Sequence, residues 1–149
     1  MLNSSRLLET VEIFADLKQD QLDKIYDICN EIHCTKGTNI VKERTPSTEI
    51  YIILDGEVDI LVTVGEEGEE KEKKIGSLGR GQSFGEVALV DQGLRSATVR
   101  CATETCRVFE ISRNDFLKLL KLNPDIGYQV MYNLAADICL KFRQATYRV

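Results

Sequence analysis

The chain has 149 residues, 43% of them hydrophobic and 29% charged, with a formal net charge of −5. That length holds one domain with a real core. The acidic balance excludes general nucleic-acid binding, which needs a basic stripe against phosphate, but leaves room for a small anion held by one buried arginine.

Residues 5–30 carry helical spacing, with Leu7, Leu8, Val11 and Phe14, then Leu22, Ile25, Tyr26 and Cys29. Polar residues at 16–19 interrupt it, which predicts two short helices joined by a turn. From about residue 31 the period changes to two, and segments 39–42, 50–54, 57–64, 74–78, 96–102 and 106–111 read as strands. Asp55-Gly56 is a tight-hairpin signal between two of them. The charge run EEGEEKEKK at 66–74 reads as a solvated hairpin tip bent at Gly65 and Gly68, in preference to a docking surface.

The last third returns to helix. Ser112 and Asp115 match an N-cap and its N3 partner ahead of FLKLL, and Asn123-Pro124 opens a second helix running to about residue 147. Along it Val130, Met131, Leu134, Ile138, Phe142 and Ala145 form an apolar stripe that serves the core, a second subunit, or both. Two helices, about eight short strands, a short helix inserted late and two closing helices predict a mainly β closed barrel or jelly roll.

No apolar run approaches bilayer length, and the N-terminus MLNSSRLLETVEIF is acidic where a signal peptide is basic, so a cytoplasmic protein without a membrane partner is expected. The cysteines at 29, 34, 101, 106 and 139 are odd in number and include no C-x-x-C pair, which predicts reduced thiols on strands or in the core. His33, the single histidine, excludes a three-histidine metal site and reads as a strand residue, so no metal, no catalytic residue and no resident cofactor are expected.

The stretch GQSFGEVALVDQGLRSATV, residues 81–99, carries the chemistry. Gly85 permits close backbone approach. Residues 86–90 can form one or two helical turns, whose first N–H groups favour an anion. Arg95 offers a planar fork to phosphate oxygens, Ser96 adds a hydroxyl, and Ala97 leaves room beneath. Glu86 would repel such an anion unless the ligand also presents hydroxyl donors, as a ribose 2′-OH does. A cyclic phosphodiester, with one negative charge, suits the pair better than a terminal monophosphate with nearly two. Charge-assisted bonds of roughly 1.5–3 kcal/mol each support micromolar binding, about −8 kcal/mol. Spacing alone equally allows Arg95 and Glu86 to pair with each other.

The same stretch resembles the phosphate-binding cassette of the cyclic nucleotide-binding domain family: Gly-x-x-Phe-Gly-Glu, a hydrophobic residue, Ala-Leu, a short loop, then Arg-Ser-Ala-Thr-Val. IYIILDGEVDI at 50–60 and the tail through EISRNDFLKLLKLNPDI extend the likeness, the latter towards the catabolite activator branch. The resemblance implies a double-stranded β-helix (jelly-roll) barrel over 31–111, N-terminal helices over 1–30, an inserted cassette helix within 81–99, and C-terminal helices over 112–149 that close over the base. It assigns Phe84, Gly85, Glu86, Val87, Ala88, Arg95, Ser96 and Ala97 to the ligand. Glu86 would hold the 2′-OH, Arg95 and Ser96 the cyclic phosphate, with amides near Gly85 and Ala88 assisting. By looser placement Ile60 and Ile75 line the pocket, Phe142 stacks on the base, and Arg143 or Gln144 bonds its edge.

Leu94 stands where many members have proline, and residues 43–49 lack the family's usual glycine-rich turn. The resemblance implies a cAMP preference from Ser96 after the arginine, as in the activator branch, while its hydroxyl leaves cGMP open. The implied function is a non-enzymatic sensor that binds cAMP and signals by moving its C-terminal helix, to a downstream protein partner or within a homodimer formed through that helix. The chain stops where activators continue into a DNA-reading domain, so no DNA partner is expected. The competing expectations are a barrel kept only as an interaction module, and an enzyme on a related barrel, which the single histidine disfavours.

Overall fold

The computed structural model describes residues 4–147. Eight strands form two four-stranded antiparallel sheets: β1 (Cys29–Thr35), β8 (Thr105–Ile111), β3 (Ile50–Asp55) and β6 (Ser83–Phe84) in one, and β2 (Asn39–Val41), β7 (Thr98–Cys101), β4 (Val58–Val64) and β5 (Lys71–Leu78) in the other. The mainly β jelly-roll expectation is met, with β1 and β6 added to the strands that periodicity had marked.

The unbroken apolar run of β3 has a direct cause in its burial on both faces. Ile50, Ile52 and Leu54 point outwards to a core shared with the helices, where Phe109 and Ile111 of β8 join them. Tyr51 and Ile53 point into the barrel, against Val108, Phe84, Val58 and Val99. Alternation of side chains thus feeds two cores at once.

Asp55-Gly56 is not a hairpin. The edges of β3 are taken by β8 and β6, and those of β4 by β5 and β7, so this turn carries the chain from one sheet to the other. Gly56 has φ +89°, and a Cβ there would lie 2.6 Å from the Thr105 carbonyl oxygen, so the crossing needs glycine. The β4–β5 hairpin does turn at the charge run, through Gly65 and Gly68 at φ +106° and +89°. Strand β5 nevertheless begins inside that run, at Lys71, which pairs with Val64 of β4, and Glu72 beside it binds Arg100 bidentately at 2.9 and 2.6 Å.

The N-terminal spacing folds into two 3-10 segments, Ser4–Thr10 and Glu12–Phe14, followed by α1 (Gln19–Tyr26). Helix α2 (Arg113–Leu122) is capped by Ser112, whose hydroxyl accepts from the Asp115 amide at 3.4 Å, and α3 (Pro124–Tyr147) starts at the expected proline. The Asn133 side chain donates to the carbonyls of Ile13 and Ala15 at 3.0 and 2.8 Å, which ties α3 to the N-terminal segment. The apolar stripe of α3 divides: Val130 and Leu134 are buried in the core, whereas residues 138–145 are all exposed. The five cysteines are free thiols; burial pushes Cys29 up to about 12, and burial with the neighbouring Cys106 thiol pushes Cys101 up to about 11, which favours the protonated form of both. Among the described residues no helix is long and apolar enough to cross a membrane.

Candidate functional site

A cavity of about 420 Å³ opens beside the cassette. Phe84, Gly85, Glu86, Val87 and Ala88 form one wall, Arg95, Ser96 and Ala97 another, and Ile60 of β4 a third. The chain builds the first wall by ending β6 at Phe84 and turning at Gly85, φ +79°, into a single 3-10 turn, Glu86–Leu89. Gly85 also gives Arg95 its place: a Cβ would sit 2.8 Å from Arg95 Nη1 and 2.9 Å from the Glu49 carbonyl oxygen.

Arg95 is only 9% exposed and is held from three sides. Its Nε donates to Ser47 Oγ at 3.0 Å, Nη2 to the Glu49 carbonyl at 2.6 Å, and Nη1 to the Gly85 carbonyl at 3.4 Å. The backbone is pinned as well, since the Arg95 amide donates to the Thr45 carbonyl at 2.9 Å and its carbonyl accepts from Arg44 at 2.8 Å. Three of the five guanidinium hydrogens are thereby used, leaving two for a ligand. Burial draws Arg95 down from its ordinary value, opposed by the negative charges of Glu49 and Glu86. The group keeps its charge, because a guanidinium starts far above neutrality.

Glu86 is 6% exposed, and its buried Oε2 has no hydrogen-bond partner. Its Oε1 lies 3.8 Å from Lys141 Nζ. Burial, helped by the charge of Asp137, raises the carboxyl above its ordinary value, against the pull of its own amide, of Lys141 and of the Ser83 hydroxyl. A buried acceptor without a donor costs about 1–3 kcal/mol, so such an oxygen suits a ligand hydroxyl. The mutual pairing that spacing had allowed is absent: Arg95 bonds Ser47, Gly85 and Glu49, and Glu86 faces Lys141. The Ala88 amide donates to the Gly85 carbonyl at 3.1 Å and closes the 3-10 turn.

Ile75, Phe142 and Arg143 do not line the cavity. Ile60 pairs with Gly76 and Leu61 with Lys74, so Ile75 is the extra residue of a β-bulge and stands 58% exposed. On α3 the phase set by Val130 and Leu134 brings Lys141 to the cavity and turns Phe142 about 100° away, to 72% exposure. Sequence reasoning passed over Lys141, which the helical phase of the buried residues would have found. Ser47, which orients Arg95, and Asp91 and Leu94 at the mouth carry no periodic signal, because they sit in irregular loops.

A family model described as "Cyclic nucleotide-binding domain" matches residues 31–123. The chain is 37% identical over 128 residues to a Drosophila melanogaster cGMP-dependent protein kinase, isozyme 2 forms cD5/T2, covering 84% of this chain and 13% of that protein. It is 34% identical over 113 residues to the Emericella nidulans cAMP-dependent protein kinase regulatory subunit, covering 76% of this chain and 26% of the relative. It therefore spans only a small part of either relative. Among solved structures it resembles the Thermus thermophilus catabolite activator protein, with a TM-score of 0.80, 25% identity, and 92% and 61% of the two chains covered. The regulatory domain of Toxoplasma gondii PKA, crystallised with cAMP, gives a TM-score of 0.68 at 25% identity, covering 77% of this chain and 42% of that one. The chain belongs to the cyclic nucleotide-binding domain family.

Proposed function

We propose that this family member is a regulatory module that binds cAMP in the cassette cavity, performs no catalysis itself, and passes occupancy on through α3. The observation that carries the reading is the pairing of a fixed, buried Arg95 with two spare donors and a buried Glu86 oxygen with no donor, both facing one cavity. Arg95 and Ser96 would take the cyclic phosphate and Glu86 the ribose 2′-OH. Val87, Ala88, Ala97, Phe84 and Ile60 would pack around the sugar and base. Ser96 supports cAMP over cGMP. Both messengers occur in the relatives' names, so both belong in the test.

The downstream element is read as a protein or a second copy of the chain. The exposed Tyr128, Tyr132 and Phe142 of α3 support a homodimer through that helix. A cytoplasmic setting is supported by the five cysteines standing as free thiols, and the acidic charge speaks against DNA as partner.

Calorimetric titration of protein stripped of nucleotide by unfolding and refolding tests the reading. Micromolar or tighter binding of cAMP, lost in Arg95→Leu, is the expected result. A folded protein that gives no heat with cAMP or cGMP would overturn it and leave the barrel as an interaction module.

A further inference from the structure

Residues 138–145 of α3 are exposed, yet one of them reaches the cavity. Lys141 Nζ lies 2.9 Å from Asp137 Oδ2, one turn back on the same helix, and 3.8 Å from Glu86 Oε1 on the cassette. An ammonium placed between these carboxylates links the outer part of α3 directly to the group facing the cavity. The two oxygens of Glu86 are used unequally: Oε1 faces Lys141, and Oε2 is buried without a partner. A hydroxyl donated to Oε2 therefore need not displace Lys141.

We propose that Lys141 is a coupling residue: its ion pair with Glu86 holds the outer turns of α3 at the cavity mouth, and an anionic ligand that donates a hydroxyl to Oε2 tightens that hold. The first half stands on the free protein alone. The second rests on the binding reading above. With a singly charged ligand bound, ligand and Glu86 face Arg95 on one side and Lys141 on the other, Lys141 being shared with Asp137 at 2.9 Å. Lys141 favours the ionised, accepting form of Glu86, against burial and the charge of Asp137. Reciprocity follows, because whatever ligand binding adds to helix docking, helix docking returns to ligand affinity. Lys141 thereby positions Glu86 and α3 relative to each other without touching the phosphate that Arg95 holds.

Hydrogen–deuterium exchange of a peptide covering 138–145 tests both halves. In ligand-free protein, Lys141→Gln and Glu86→Gln are each expected to speed exchange there by about two- to fivefold, the size of a partly exposed ion pair, with the sheets unchanged. Glu86→Gln leaves the Lys141–Asp137 pair in place, so faster exchange in that variant separates docking from loss of helix stability. Lys141→Arg should retain the protection. Unchanged exchange in Glu86→Gln and Lys141→Gln would overturn the hold. In wild type, cAMP is expected to slow exchange in this peptide, and Lys141→Gln to abolish the slowing and weaken binding. Equal slowing in wild type and Lys141→Gln would overturn the coupling while leaving the binding reading intact. Failure of the wild type to bind cAMP or cGMP would remove the binding reading and the ligand half with it, and ligand-free exchange would still decide the hold.

Discussion

Arg95 enters the cavity already held by three acceptors, whereas Glu86 enters it with one oxygen unpartnered. The first arrangement is preorganisation: the fork need not be ordered again when an anion arrives. Losing its two spare charge-assisted bonds in Arg95→Leu should lower nucleotide affinity by about 3 kcal/mol or more, roughly a hundredfold, measured by titration. The second arrangement makes the free protein less stable than it could be. Because burial raises the Glu86 carboxyl above its ordinary 4.5, the folded state binds that proton more tightly than the unfolded chain does. Its contribution to stability is therefore greatest below that value and declines as pH rises through the higher folded-state value. Thermal midpoints from pH 4.5 upwards should show Glu86→Gln gaining on ligand-free wild type as pH rises, while its affinity for cAMP falls. Parallel pH profiles for the two proteins would contradict this. Gly85→Ala forces a left-handed residue against Arg95 and should cost about 1–2 kcal/mol from backbone strain alone, with a further loss of affinity as the arginine shifts.

At the scale of elements, what could be read from the chain depended on whether its cause was local. The cassette was legible because Gly85, Glu86, Arg95 and Ser96 lie within one short stretch, although Arg95 is held in place by residues 44–49, far away in sequence. The cap at Ser112 and the start of α3 at Pro124 were legible for the same reason. Asp55-Gly56 misled because its local chemistry is that of a hairpin, while the partners of β3 and β4 come from strands far away in sequence. Ile75 misled because a bulge leaves no mark in the alternation it interrupts, and Phe142 because a single helical step separates cavity from solvent. The crossing turn yields its own test. Gly56→Ala places a methyl 2.6 Å from the Thr105 carbonyl and 2.9 Å from Cys106 Sγ, at a positive φ. It should destabilise the fold by about 2–3 kcal/mol in denaturant unfolding. A substitution that leaves the midpoint unchanged would mean that the turn is free to move.

For the molecule as a whole, the design separates a rigid receptor from an outlying lever. The barrel and the N-terminal helices share β3 and β8 between two cores, so that these two strands are buried on both faces. Helix α3 is embedded as far as Leu134 and then runs out with Ile138, Leu140 and Phe142 exposed. Together with Tyr128 and Tyr132, whose rings stack at 6.2 Å, these residues give the lever an apolar surface for a second copy. If that copy is the partner, Tyr128→Ser with Tyr132→Ser should halve the mass seen by light scattering and barely move the thermal midpoint, because both rings are mostly outside the core. An unchanged mass would place the dimer elsewhere or remove it. Such a lever shifts only as far as a ligand distinguishes its docked and undocked positions. Everything downstream therefore depends on whether the cavity takes a cyclic nucleotide at all. The most direct measurement is calorimetric titration of stripped wild-type protein with cAMP and then cGMP, beside Arg95→Leu. We expect micromolar or tighter binding of cAMP that weakens at least a hundredfold in the variant; no binding of either nucleotide to a folded wild type, or equal binding to the variant, would contradict this.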